Sequence, residues 1–275
     1  MRRSTTSAGT KRRSLLGLLI AELIFGGVLL AQPRSATPPN PPLAAPPSLT
    51  TSTTTSTTET LSDRRIVRLI GLGGPDTAPL LARIDAEMDG AAQAVTAFWG
   101  PDWPREVLIV AAGSDAQFRQ LAGGSADIAA TTTAERIMFA PGAAAMSDAA
   151  LRIVVRHELF HYAARADTAP DAPSWLTEGV ADYVGRPPAP RPGNATELAL
   201  IPTDAELYGP DRSRAYDRAW WFSRFVADTY GTGTLRALYL RACGHGHPDS
   251  ATAVRDTLGA DLPTVLSRWW QWLTG

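Results

Sequence analysis

The chain has 275 residues, with 26 Lys plus Arg against 27 Asp plus Glu and 44% hydrophobic residues. That is enough apolar material for one large domain or two small ones, and it excludes a wholly disordered chain. A formal net charge of −1 argues against nucleic acid as a partner, which would require a basic face. The single cysteine, Cys243, excludes an intrachain disulfide and a Cys-rich zinc site.

These averages hide three unlike segments. Residues 1–13 hold Arg2, Arg3, Lys11, Arg12 and Arg13 and no acid. An apolar run follows over residues 14–31, interrupted only by Glu22. A basic start before an apolar run reads as an export signal. Its length and flanks favour an uncleaved single-pass anchor, with secretion after signal cleavage as the alternative. Positive-inside orientation places everything after it outside the cytoplasm.

Residues 32–61 are a different material, and 20 of the 28 residues from 33 to 60 are Pro, Thr or Ser. Such a stretch buries too little apolar area to fold and is expected to be an extended, disordered linker. Residues 1–31 hold five of the bases and one of the acids, so the remainder carries 21 against 26, a net of −5. That mild acidity also argues against anionic lipid as a partner.

One domain is expected over residues 62–275. Residues 64–70 read as a strand stopped by Gly71, Gly73 and Gly74. Leu80, Leu81, Ile84, Met88, Ala91, Ala92 and Val95 have helical spacing across residues 77–98. Residues 105–111 read as a second strand, and Ser114 as the cap of a short helix. Two weaker strands follow at 128–132 and 136–140, and from Ser147 onward the pattern is mostly helical. Strands early and helices late make an α+β fold.

The chemistry concentrates at His157-Glu158-Leu159-Phe160-His161. Ser147 is a plausible N-cap, Asp148 suits a first turn, and Leu151, Ile153, Val154 and Val155 supply apolar faces. Residues four apart on a helix stack one turn above each other, so His157 and His161 can bind one Zn²⁺. Glu158, beside the first of them, is placed to take a proton from water at the metal. A catalytic zinc wants three protein ligands. Glu178, in the run Ser174-Trp175-Leu176-Thr177-Glu178-Gly179-Val180-Ala181-Asp182-Tyr183, would complete a His-His-Glu set on a second helix.

Together these two motifs resemble those of the gluzincin metallopeptidases, in particular the bacterial peptidase MA-like group, over roughly residues 130–275. The resemblance implies a zincin-like fold. It would comprise a small N-terminal mixed sheet with helices, an HExxH active-site helix and a mainly helical C-terminal lobe. It implies one zinc on His157, His161 and Glu178, Glu158 as general base, and hydrolysis of a peptide or protein substrate. Asp182, four residues after Glu178, matches the carboxylate that orients the first zinc histidine, and a ligand imidazole usually donates its other N–H to such a group. Tyr216 is the matching candidate for oxyanion donor, with Tyr183 as a rival. Zincins also pair an extended substrate with an edge strand beside the active helix. The strand of Arg136, Ile137, Met138, Phe139 and Ala140 is expected to fill that role. A zinc-binding but inactive envelope binding module is the alternative reading. His245 and His247 lie in a Gly-rich stretch and read as surface loop, although either could reach the cleft.

Overall fold

A computed structural model describes residues 54–123, 128–192 and 198–275. The apolar run at 14–31 lies outside the described residues. Among the described residues, no helix is long and apolar enough to cross a membrane.

Five strands form one mixed sheet in the order β1-β2-β3-β5-β4. They are β1 (Thr55–Thr60), β2 (Ile66–Gly71), β3 (Glu106–Ala111), β4 (Ala130–Thr132) and β5 (Ile137–Phe139). β2, β3 and β5 run parallel, with β1 antiparallel to β2 and β4 antiparallel to β5. Helix α1 (Thr77–Trp99) crosses between β2 and β3, and α2 (Asp115–Ala122) leads from β3 toward β4. The period-2 alternation of strand side chains divides the sheet cleanly. Val67, Leu69, Val107, Ile109, Ile137 and Phe139 join α1 in the main core. Val110 and Met138 face the other way, onto Phe118 and Ala122 of α2.

The structure departs from the sequence pattern at two strands. The segment expected to be linker to residue 61 ends earlier, because Thr55–Thr60 pairs along the whole of β2. All six of its residues are exposed, so burial does not hold it. β-branched threonines suit an extended edge, and the backbone ladder supplies the rest. The strand carrying Arg136, Ile137, Met138, Phe139 and Ala140 is not an edge. β5 lies between β3 and β4. The edge on this side is β4.

After the sheet comes α3 (Asp148–Ala164), which begins as its sequence indicates. The Ser147 hydroxyl accepts from the Ala150 N–H at 3.2 Å, and Asp148 complements the helix dipole. Arg83 of α1 ties this end down, donating to Asp148 at 2.9 Å and to the carbonyls of Ala144 and Met146. A turn leads to α4 (Ser174–Gly185), then α5 (Asp204–Leu207), α6 (Arg212–Tyr230), α7 (Thr232–Cys243), α8 (Ser250–Leu258) and α9 (Leu262–Thr274). α4 is packed between α3 and α6 and is buried on nearly every side.

Two small residues make that sandwich possible. A Cβ on Gly179 would come within 2.5 Å of the Ala219 carbonyl oxygen of α6. A Cβ on Gly185 would sit 3.0 Å from the Ile153 carbonyl oxygen of α3. Gly179→Ala is therefore expected to push α4 off α6 and cost about 1–3 kcal/mol, as overpacking does. Chemical denaturation would show this as a lower midpoint; an unchanged midpoint would mean the helices are not in contact at this residue.

Candidate metal centre

α3 and α4 each present their functional side chains to the other. His157 and His161, one turn apart on α3, face Glu178 on α4. Their Nε2 atoms are 2.9 Å apart, and they lie 3.2 and 3.5 Å from Glu178 Oε2. All three residues are buried. Zn–N bonds of 2.0–2.1 Å at tetrahedral angles separate ligand atoms by about 3.3 Å, close to the distances found here. The donor set is two nitrogens and one carboxylate oxygen, which suits zinc. His157, His161 and Glu178 thus form a buried group able to hold one metal ion.

The charges in the site point the same way. Burial acts against a charged His157, but the Asp182 and Glu178 carboxylates outweigh it and raise its pKa. Burial likewise opposes ionisation of Glu178, yet His161 and His157 hold it below the usual carboxylate range. In both cases a cationic imidazole offsets buried carboxylate charge. A metal ion meets the same demand without a proton.

His157 is oriented from its far side. Its Nδ1 lies 2.9 Å from Asp182 Oδ1, which fixes Nδ1 as a donor and turns Nε2 toward Glu178. Asp182 is where the sequence places it, one turn beyond Glu178. Its other oxygen meets Arg186 Nη2 at 2.6 Å.

Glu158 is buried beside the three ligands. Burial raises its pKa, against the pull of His157, His161 and a hydrogen bond from Thr132. The Thr132 hydroxyl reaches both the Glu158 carboxylate and, at 3.0 Å, the Glu158 carbonyl oxygen. Thr132 was not legible as a site residue. It sits in a three-residue strand, 26 positions from its partner, and its only sequence signal is a β-branched run. Arg186 was missed as well, though an Arg four residues after a helical Asp hints at a pair.

Tyr216 of α6 does come to the site. It is fully buried, its ring centroid is 6.5 Å from that of His157, and its hydroxyl hydrogen-bonds with Glu178. Burial first, then the nearby carboxylates, push its pKa well above that of free tyrosine, so it stays a neutral donor. Tyr183 does not reach the site; it packs edge-on against Phe98 and its hydroxyl meets Thr232 at 3.3 Å. His245 and His247 are held elsewhere, by the Ala166 carbonyl and by Asp171 and the Pro248 carbonyl. A cavity of about 350 Å³ beside the start of α6, lined in part by Glu206, Arg214 and Arg218, includes none of the three ligands.

No protein-family model matches the chain, and no curated protein matches it. Solved structures do. The M1 zinc metallopeptidase from Deinococcus radiodurans aligns at 18% identity with a TM-score of 0.49, over 81% of this chain and 52% of that one. A mutant two-domain M1 zinc metallopeptidase bound to L-arginine aligns at 16% identity with a TM-score of 0.47, over the same shares. The chain spans about half the length of these structures.

Replacing Asp182 by Asn would keep the shape but remove the charge that holds His157. Zinc affinity is expected to fall by about 10–100-fold, the usual effect of losing such a partner. Chelator competition on the purified variant measures it, and unchanged affinity would show that Asp182 does not orient the ligand.

Proposed function

We propose that the protein is a zinc-dependent metallopeptidase of gluzincin type, hydrolysing peptide bonds outside the cytoplasm. The observation that supports this best is one buried arrangement. Two imidazole nitrogens and a carboxylate oxygen converge within 3.5 Å of one another, and a fourth residue, the carboxyl group Glu158, is buried against them. A purely structural site has no use for Glu158.

Bound there, zinc would supply Lewis-acid polarisation of a carbonyl and a lowered pKa for water. The chain's own residues do the remainder. Glu158 takes the proton from the attacking water and returns it to the leaving amine. Its raised pKa suits that exchange better than an ordinary exposed carboxylate would. The Thr132 hydroxyl holds the Glu158 side chain in place. Tyr216, kept protonated by burial, donates to the oxyanion of the tetrahedral intermediate.

The substrate strand is β4 rather than β5. β4 ends the sheet, and its Thr132 touches Glu158. An extended peptide added to this edge would run beside the general base. Residues 14–31 anchor the chain, with the basic residues 1–13 on the cytoplasmic side; secretion after cleavage is the alternative.

Hydrolysis of a peptide library should be lost in Glu158→Gln, by about 10²–10⁴-fold, with zinc content unchanged. Equal rates for this variant and the wild type, both holding zinc, would contradict a peptidase and favour a binding module. Tyr216→Phe is expected to lower kcat by about 10²–10³-fold with little change in KM. An unchanged kcat would remove Tyr216 from the reaction.

A further inference from the structure

We infer that Arg186, at the end of α4, and Asp217, on α6, are positioning residues for the metal site, acting through Asp182 onto His157. The inference rests on the zinc reading above.

The contacts form one line. His157 Nδ1 meets Asp182 Oδ1 at 2.9 Å, Asp182 Oδ2 meets Arg186 Nη2 at 2.6 Å, and Arg186 Nη1 meets Asp217 Oδ1 at 2.6 Å. Arg186 is the first residue beyond α4, where the backbone turns extended, at φ −82° and ψ 146°. Its side chain therefore folds back along its own helix to reach Asp182. The guanidinium carbon also lies 5.0 Å from the Trp220 ring centroid. An ion pair four residues apart on an exposed helix contributes only about 0.2–0.5 kcal/mol. This one is different because the Arg186 side chain is only 13% exposed and Asp182 is 3% exposed.

A planar guanidinium can hold two carboxylates at once in fixed directions, which an ammonium group does not. A hydrogen bond to Asp217 orients Arg186, and Arg186 holds the Asp182 carboxylate by its charge at 2.6 Å, off the line of a hydrogen bond. Without them, the Asp182 carboxylate is free to rotate about its terminal bond. The Nδ1–H bond then weakens, and His157 no longer presents Nε2 to the metal in a single orientation. Neither Arg186 nor Asp217 touches the metal-binding atoms. Asp217 lies at the open end of the line, 35% exposed.

The test is zinc affinity of the full chain by chelator competition, together with the visible spectrum of the cobalt(II)-substituted protein. The proteins compared are wild type, Arg186→Met, Arg186→Lys, Asp217→Asn and Asp217→Glu. Arg186→Met should weaken zinc binding by about 10–100-fold, the range for partners of ligand histidines. Arg186→Lys and Asp217→Asn should each weaken it by a smaller factor, and Asp217→Glu should restore most of it. The cobalt spectrum should shift in the Arg186 variants, a change that a general loss of stability does not produce. Folded variants with wild-type affinity and spectrum would overturn this inference alone. A wild type that binds neither ion would overturn the zinc reading and this inference with it. If Arg186→Met fails to fold, the two Asp217 variants decide the matter.

Discussion

Three acidic residues, Glu158, Glu178 and Asp182, are buried and lie within one small region between α3 and α4. Burying charge costs several kcal/mol per ion unless it is paired and hydrogen-bonded. Arg186 offsets Asp182 but is shared with Asp217. What offsets Glu178 are the two imidazoles, which carry positive charge only when protonated. A divalent cation relieves this shortage and leaves both imidazoles neutral, as ligands must be. The rest of the site follows from that requirement. His157 needs Asp182 to fix its tautomer, Asp182 needs Arg186, and Glu158 needs Thr132 to hold a carboxyl group that burial would otherwise leave without a partner.

Packing makes the requirement achievable. Helices α3 and α4 must approach closely enough for their side chains to share one ion. Gly185 permits that approach on the α3 side, and Gly179 lets α6 close over the other face. Gly179 follows Glu178 directly, so the close backbone contact with α6 lies beside the candidate ligand. The sheet contributes β4, whose Thr132 reaches across to α3. Site and core are therefore the same set of contacts.

Much of this was legible in the sequence. Helical spacing gives α1 within a residue and the start of α3, a second helix carrying Glu178 is expected without bounds, and Ser114 and Ser147 cap the helices their positions predict. His157, His161, Glu178 and Asp182 fall together because the helical repeat turns spacing into geometry. Strand order was not legible. A three-residue strand carries no mark of being edge or interior, so nothing in the sequence separates β5 from the edge that β4 occupies. β1 was hidden by composition, since a Thr-rich run looks like linker until a partner strand pairs with it. Thr132 and Arg186 were hidden because their roles depend on partners brought close by folding, or on a side chain folding back past a helix end.

The most direct test of the account is the metal content of the protein purified without chelator, beside a His157→Ala/Glu178→Ala control. The account predicts about one zinc per wild-type chain, lost in the control. A folded, zinc-supplemented wild type without metal would contradict it, and the buried carboxylates would then need another source of positive charge.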